Sequence, residues 1–360
     1  MSIRNLFLLL FPIVAFTLVT SCGARSGLEA GLVQGGAGGE EAVKCVAGKV
    51  ALTRANPTVM FVLDRSTSMG KVLEATSGGV TRWESLISGL SSTLPSVDGS
   101  MEIGALLFPI AGASQNGGQS CSVPGLLDLL PGTGHVAALL ALMNGTSPGG
   151  MTPTADAVDV AGSLLLGVRA ATTGRALVLA TDGAPDCNAA LDSAMCRCSN
   201  GGASCKGKST RCLDDARTLE VIGKYQAMGL PTYVIGIQEE GDSSFSDVLD
   251  AMASAGGRPK MGGEQQYYAA RSQAELDTAL AAIRDQVGQC TYLSTSVPDD
   301  DGSITVTLGD TAVPQDTTGV EGWTWGSKSN GEIVLVGSAC AAAAADGSPA
   351  LTAVVQCKGS

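Results

Sequence analysis

Polar side chains follow two strongly apolar stretches of the sequence, at the point where each stretch ends. In TVMFVLDRSTSMG, the apolar run ends at Asp64, and Ser66 and Ser68 follow at two-residue spacing. A second apolar run ends at Asp182. In an open α/β sheet, ligands bind in the crevice beyond the carboxyl ends of the strands. If both runs are buried parallel strands, we expect these carboxylates and hydroxyls to meet at one edge of the sheet.

A third hydroxyl is expected at the same edge. In GGMTPTADAV a Gly-Gly loop runs into a predicted helix, which Thr152 can cap, with Pro153 in the first-turn position that proline favours. Ligands that are all oxygen select a hard divalent cation, Mg²⁺ or alternatively Mn²⁺ or Ca²⁺. Mg²⁺ binds six oxygens at about 2.0–2.1 Å and keeps several waters. Because hydroxyls are neutral, such an ion can take an acidic group from a partner as its last ligand.

Two other ligand classes fit the sequence poorly. A doubly wound sheet can bind a nucleotide, but neither G-x-G-x-x-G nor G-x-x-x-x-G-K-[ST] follows the first strand. Nucleic acid requires a basic surface, whereas the formal net charge of the 360 residues is −12. We therefore expect neither nucleotide nor nucleic acid at the predicted site.

The order D-x-S-x-S, then Thr, then a strand-terminal D-G resembles the von Willebrand factor type A (vWFA) domain with its metal-ion-dependent adhesion site (MIDAS). The resemblance covers roughly residues 57–289, and every position of the motif is filled. It implies direct metal contacts from three hydroxyls, and direct or water-mediated contacts from two carboxylates: Ser66, Ser68 and Thr152, and Asp64 and Asp182. Thr67 stands where bacterial members often carry Gly, and its side chain is expected to point away from the ion.

The elements that would position these residues alternate along the chain. Apolar stretches predict strands at 58–64, 102–109, 175–183 and 231–238, and amphipathic patterns predict helices at 81–94, 135–143, 154–168, 212–229, 245–257 and 272–290. Continuous apolar strands between helices indicate a doubly wound, mainly parallel sheet with helices on both faces. We predict a vWFA domain at 45–290 with a Cys-rich insertion at 185–212, followed by a small β-rich unit at 291–360.

The N-terminal residues predict an exported, lipid-anchored protein. Arg4 precedes an apolar run that is too short to span a bilayer comfortably. The run ends in VTSC, which resembles the lipobox of bacterial lipoproteins, so we expect a signal peptide at 1–21, lipidation of Cys22 and a Gly-rich tether at 22–44. An ordinary cleaved signal is the alternative. Residue 23 is Gly rather than Asp, so this resemblance implies sorting to the outer membrane.

The cysteines agree with export. Of the 11 in the sequence, ten remain once Cys22 is set aside, and an exported chain with ten cysteines is expected to form disulfides. We predict three pairs and leave four cysteines to pair among themselves: Cys45–Cys290, Cys121–Cys187 and Cys340–Cys357, with Cys196, Cys198, Cys205 and Cys212 remaining. A zinc site in the insertion is the alternative, although C-x-C is not the usual C-x₂-C spacing.

Three functions are compatible with this sequence. The main hypothesis is a cell-envelope lipoprotein whose vWFA domain binds a divalent cation and, through it, an acidic group of a partner protein, as in adhesion. A structural envelope scaffold with a vestigial metal site is the first alternative. A hydrolase whose metal activates water is the second, but apart from the two acids that bind the cation there is no obvious general base, so we expect no enzymatic activity.

Overall fold

The computed structural model describes most of the chain from residue 43 onward. The described residues are 43–74, 78–114, 119–168, 174–202, 205, 207–239, 243–260, 264–288, 290–299, 303–317, 321–345 and 347–358. The predicted signal peptide, Cys22 and the predicted tether up to residue 42 lie outside them. Within these ranges, no helix combines the length and the apolar character needed to cross a membrane.

Strands and helices alternate through the middle of the described chain, and short strands follow. The strands are β1 (Gly48–Ala51), β2 (Thr53–Arg54), β3 (Thr58–Asp64), β4 (Glu102–Phe108), β5 (Leu129–Gly132), β6 (Arg175–Thr181), β7 (Thr232–Ile237), β8 (Tyr268–Ala270), β9 (Thr291–Leu293), β10 (Ser303–Leu308), β11 (Thr311–Val313), β12 (Gly322–Ser327), β13 (Glu332–Val336) and β14 (Leu351–Gln356). The helices are α1 (Arg82–Thr93), α2 (Val136–Asn144), α3 (Thr154–Val168), α4 (Asp215–Ala227), α5 (Ser246–Ala255), α6 (Gln273–Gly288) and α7 (Ser338–Ala344).

The central sheet has the strand order β5-β4-β3-β6-β7-β8. The strands from β4 to β8 in this order pair in parallel, and β5 pairs with β4 antiparallel at one edge. The register sets Asp64 opposite Phe108, and Leu63 opposite both Leu107 and Ala180. The doubly wound, mainly parallel sheet predicted from the sequence is therefore confirmed.

Helices cover both faces of this sheet, which is why its central strands are apolar throughout. Along β3, Phe61 and Leu63 belong to one core, which includes Leu86 of α1 and Leu280 of α6. The residues between them, such as Val62, belong to the other core, which α3, α4 and α5 cover. All seven residues of β3 are buried, so Asp64 at its end is buried with them.

Two small antiparallel sheets form the β-rich unit predicted after residue 290. Their strand orders are β1-β14-β10-β11 and β12-β13-β9-β2, and a shared apolar core includes Trp323, Ile333 and Ala353. The predicted start of the vWFA domain, at residue 45, was wrong. Residues of β1 and β2, assigned to the vWFA domain, pair with β14 and β9 of this unit, because strands that are distant in sequence supply the edges of both sheets.

Two of the predicted disulfide pairings are wrong. The predicted pairs were Cys45–Cys290 and Cys340–Cys357. Instead, Cys45 pairs with Cys357, and Cys290 pairs with Cys340. The reason is the pairing of β1 with β14, which brings Cys45 and Cys357 to the same end of one sheet. Cys290 stands directly before β9, which pairs with β13, and β13 leads into α7, which carries Cys340.

The Cys45–Cys357 bridge closes the longest loop in the described chain, since its cysteines lie 312 residues apart. Replacing both with Ser is expected to lower the free energy of unfolding by about 2–5 kcal/mol, because the bridge restricts the unfolded chain. Urea denaturation without reductant measures the loss. The matched control is the Cys198–Cys205 bridge, which spans only 7 residues and should contribute less. Equal losses in the two double variants would contradict this loop-length argument.

Candidate functional site

Parallel strands β3 and β6 end side by side, and the predicted residues gather around these ends. Asp64 is the last residue of β3, and Asp182 directly follows Thr181, the last residue of β6. Ser66 and Ser68 lie on the loop after β3, and Thr152 lies two residues before α3. A cavity of about 460 Å³ opens here, and Ser66, Ser68, Thr152 and Asp182 all line it. The structure thus brings the predicted residues to one edge of the sheet.

Asp64 is fully buried and holds the loop that follows it. Its Oδ1 accepts a hydrogen bond from the backbone N–H of Ser66 at 2.7 Å, and its Oδ2 accepts one from the hydroxyl of Thr181 at 2.7 Å. Burial raises the pKa of Asp64 to about 7, and the nearby charge of Asp182 contributes to the rise, while these hydrogen bonds oppose the shift. The carboxylate is therefore costly to ionise unless a positive charge lies close to it.

The two serine hydroxyls converge. After Ser66 the chain makes a short 3₁₀ turn, Thr67–Gly70, which brings the Oγ of Ser66 to 2.9 Å from the Oγ of Ser68. Thr67 is exposed, and its hydroxyl donates to the carbonyl oxygen of Gly150 at 2.9 Å. Thr67 thus connects this loop to the neighbouring one.

The loop before α3 depends on two glycines that approach other backbone closely. The N–H of Gly149 donates to the carbonyl of Arg65 at 2.7 Å, and the carbonyl of Gly150 accepts from the N–H of Thr67 at 3.2 Å. Gly150 has a φ of +82°, which favours glycine. A Cβ at this position would lie 2.6 Å from the Cγ of Pro109. The Gly-Gly pair therefore allows the loop to place Thr152 at the cavity that the serines also line.

Replacing Gly150 with Ala is expected to destabilise the protein more than the same change at Gly112. Both glycines have positive φ, but a Cβ at Gly112 would meet nothing within 4 Å. The positive-φ strain is therefore common to both variants, and crowding adds about 1–3 kcal/mol at Gly150 only. Urea denaturation of the two variants measures the difference. Equal stability of the two variants would show that the loop around Gly150 shifts to accommodate the Cβ without a loss of stability.

Asp182 forms a buried ion pair that the sequence analysis did not anticipate. The Nη1 of Arg82 donates to the Oδ2 of Asp182 at 2.7 Å, and the two side chains are only 5% and 6% exposed. Arg82 is the first residue of α1, directly after the N-cap Thr81. The site therefore contains a cationic side chain of its own.

Asp186 is a further acidic residue at this edge. Its Oδ1 accepts from the backbone N–H of Thr152 at 2.8 Å, and its Oδ2 accepts from the hydroxyl of Ser199 at 2.9 Å. Burial is the main cause that raises the pKa of Asp186 to about 7, and the charges of Asp182 and Asp214 add to it. Asp186 thus joins the loop carrying Thr152 to the Cys-rich insertion.

The Cys-rich insertion at 185–212 forms one side of the cavity, where Ser199, Asn200 and Arg211 line it. Cys121 pairs with Cys187, the partner expected from the sequence, and the remaining four cysteines form Cys196–Cys212 and Cys198–Cys205. The sulfurs of Cys196, Cys205 and Cys212 lie within 4.8 Å of one another. Zinc binds thiolates, however, and the structure has these cysteines in disulfides, which does not fit the zinc alternative.

The five predicted residues offer ligand atoms that fit a hard divalent cation. All are oxygens, as Mg²⁺ requires. The Oγ atoms of Ser66 and Ser68 lie 2.9 Å apart, within hydrogen-bond distance of each other, and neighbouring ligands of an octahedral ion with bonds of about 2.0–2.1 Å have a similar separation. Asp64 and Asp182 are buried close enough to repel each other, so a second positive charge beside them would relieve that repulsion.

Sequence reasoning missed three residues of this site. Asp186 follows Asp182 by four positions in DGAPD, and a second acid so close to a strand end could have marked it. Thr181 holds Asp64, but a Thr within an apolar strand looks like an ordinary strand residue. Arg82 opens a helix, where the sequence carries no sign that it reaches a carboxylate 100 positions away.

No protein-family model matches this chain, and no curated protein matches it either. Similar solved structures include a mutant of the PilB minor pilin from Streptococcus sanguinis, with 17% identity, a TM-score of 0.47, and coverage of 65% of this chain and 62% of that one. The pilus adhesin SpaC from Lactobacillus rhamnosus GG has 13% identity, a TM-score of 0.45, and coverage of 87% and 40%. The vWF domain of the type V pili tip protein Mfa5 from Porphyromonas gingivalis has 13% identity, a TM-score of 0.40, and coverage of 65% and 94%. The chain thus spans less than two thirds of the length of the first two structures.

Proposed function

We propose that this protein binds a divalent cation, Mg²⁺ by preference, at the cavity and uses it to bind an acidic group of a partner protein. The observation that carries the proposal is the pair of hydroxyls of Ser66 and Ser68, 2.9 Å apart, beside the buried carboxylates of Asp64 and Asp182. Together with Thr152 they form the oxygen-only set expected of a vWFA domain with a MIDAS. We assign the central α/β part of the chain to that kind of domain on this ground.

The hydroxyls of Ser66, Ser68 and Thr152 would hold the cation, with the carboxylates of Asp64 and Asp182 supplying the negative charge. A bound cation supplies a Lewis-acidic position that a carboxylate oxygen of another protein can complete. Lys71, which is exposed, also lines the cavity and would attract an acidic group as well.

A binding role fits the site better than a catalytic one. Asp64 is fully buried, and its two oxygens accept from the Ser66 N–H and the Thr181 hydroxyl. Asp186 uses one oxygen for Thr152 and the other for Ser199. A general base must lie within hydrogen-bond reach of the proton it removes. These hydrogen bonds leave lone pairs for a cation, but they fix both carboxylates in place as supports of the neighbouring loops. We therefore propose that the protein is not an enzyme.

The disulfides support a location outside the cytoplasm. The ten cysteines of the described residues form five disulfides, and disulfides persist in oxidising compartments. We extend the proposal to an exported protein that is anchored through lipid on Cys22 to the cell envelope, at the outer membrane, with adhesion or partner binding as its role. Mass spectrometry of the protein purified from its membrane fraction tests the lipid on Cys22.

Calorimetric titration of MgCl₂ into the chelator-treated protein tests the cation site. We expect heat and a single class of site. A structural scaffold with a vestigial site predicts no heat, so this measurement separates the two functions. Titration with MnCl₂ and CaCl₂ under the same conditions ranks the cations.

Capture from envelope extracts tests the partner. The immobilised protein should retain a partner in MgCl₂ and release it in EDTA. The matched control is an Asp182→Asn variant, which should retain nothing in either condition. A partner held equally by the variant, or held in EDTA, would show that recognition does not use the cation site.

A further inference from the structure

The guanidinium of Arg82 occupies a place in the cavity where a cation is expected. Its Nη1 lies 2.7 Å from the Oδ2 of Asp182, and both side chains are more than nine-tenths buried. The same cavity is lined by Ser66, Ser68 and Thr152. A positive charge is thus already present next to one of the two carboxylates that would attract a metal.

Helix stability does not explain this position. Arg82 is the first residue of α1, and the partial positive charge at a helix N-terminus disfavours a cation there. The capping of α1 is carried by Thr81 and Glu84, which exchange hydrogen bonds in a capping box. Arg82 contributes to the chain path through its backbone N–H, which donates to the carbonyl of Lys71, and any residue except proline can make that bond.

The side chain is also held with part of its hydrogen-bonding capacity unused. The buried Nε–H of Arg82 finds no acceptor among the described residues. An unpaired buried donor destabilises the folded state. The residue therefore tolerates one unsatisfied group in order to keep its contact with Asp182, which points to the charge of that carboxylate as the reason for its placement.

The charge balance of the site supports this reason. Asp64 and Asp182 are both buried and lie close enough for the charge of one to act on the other. Without a metal, Arg82 supplies a positive charge in direct contact with Asp182, one member of this pair. A divalent cation at the serine hydroxyls would be attracted by the same carboxylates, and it would repel a guanidinium that shares Asp182 with it.

We propose that Arg82 is an internal counterion of Asp182, which a divalent cation displaces when it binds. The inference rests on the proposed cation site. It has two consequences: the ion pair stabilises the site before the metal arrives, and it lowers the affinity for the metal. Occupancy of the site then depends on the cation concentration around the protein.

Calorimetric titration of MgCl₂ into the full chain and its Arg82→Gln variant tests the proposal. The variant should bind Mg²⁺ at least about tenfold more tightly, because the competing charge is gone. An Arg82→Lys variant keeps a competing charge and should stay within about threefold of the wild-type affinity. The matched control is Arg258→Gln, which breaks another largely buried ion pair, to Glu332, near the start of β7 at the opposite end of the sheet. It should leave the affinity unchanged.

The effect of MgCl₂ on the difference in melting temperature between variant and wild type is a second readout. Loss of a merely structural residue would give the same difference with and without MgCl₂. In EDTA, Arg82→Gln should melt below wild type, because Asp182 has lost its counterion, and saturating MgCl₂ should remove the difference. A variant that is unfolded in EDTA and folds on addition of MgCl₂ also supports the proposal. A loss of equal size in EDTA and in MgCl₂, or a variant that stays unfolded in both, overturns it.

The outcomes separate this proposal from the one on which it rests. If wild type binds Mg²⁺ and Arg82→Gln binds it equally or more weakly, Arg82 is not a displaced counterion, while the cation site stands. If neither protein binds Mg²⁺, both proposals fail together.

Discussion

An Asp64→Asn, Ser66→Ala double variant is expected to bind Mg²⁺ at least about 100-fold more weakly than wild type while it remains folded. Loss of a single residue outside the ligand set commonly costs a metal site about 10–100-fold in affinity. The double variant removes a buried negative charge and a hydroxyl that lies 2.9 Å from its neighbour. Calorimetric titration after chelator treatment measures the affinity.

The fold should survive this change for a specific reason. Asn at position 64 keeps an oxygen that can accept from Ser66 or Thr181, and it removes a buried charge whose ionisation is costly at neutral pH. The matched control is Asp159→Asn, the same chemical change on α3, where Asp159 pairs with Lys224. The control should bind Mg²⁺ as wild type does. Unchanged affinity in the double variant would remove the site from consideration.

The second large effect concerns pH. Burial raises the pKa of Asp64 and that of Asp186 to about 7, whereas an unfolded aspartate titrates near 3.8. Between these values the folded protein binds more protons than the unfolded chain, so stability must fall as the pH rises from about 4 to about 7. In EDTA, we expect a loss of about 5 kcal/mol in the free energy of unfolding from about pH 5 to about pH 7.5, about half of it from each group.

Magnesium should oppose this loss. The cation binds the ionised carboxylates, so it stabilises the folded protein more at about pH 7.5 than at about pH 5. Urea denaturation at both pH values, in EDTA and in MgCl₂, measures the effect. Asp64→Asn should remove part of the pH dependence in EDTA, since Asn does not titrate. Stability that rises over this pH range in EDTA would contradict the assigned shifts.

The two effects share one physical origin. Asp64 ends a fully buried strand, so its charge has no access to water, and Asp182 lies close enough to add repulsion. A protein could avoid this cost by replacing either residue with a neutral one. Two buried carboxylates close to each other, with Arg82 against Asp182, are the charges that the proposed cation site requires.

The central sheet and the location of the site could be predicted from the sequence because their signals are local. A run of apolar residues with both faces buried has the same pattern in any parallel sheet, and β3 and β6 follow it. Parallel strands end at the same edge, so polar residues at the ends of two such strands must be neighbours when the strands pair. The expectation that Asp64, Ser66, Ser68 and Asp182 meet depended on that rule. Thr152 was added from the predicted helix start, and the ligand roles came from the resemblance to the vWFA domain.

The partners of individual side chains were decided by the tertiary structure. Cys45 meets Cys357 because β1 joins a sheet built from the other end of the chain, and Arg82 meets Asp182 because α1 begins beside the end of β6. Such contacts join residues 312 and 100 positions apart, and no periodicity marks them. The sequence alone determined which strands are buried and where their polar ends meet, because the apolar or polar character of each residue indicates whether it is buried. Which cysteines pair, and which cation balances a buried carboxylate, follow only from how the elements pack.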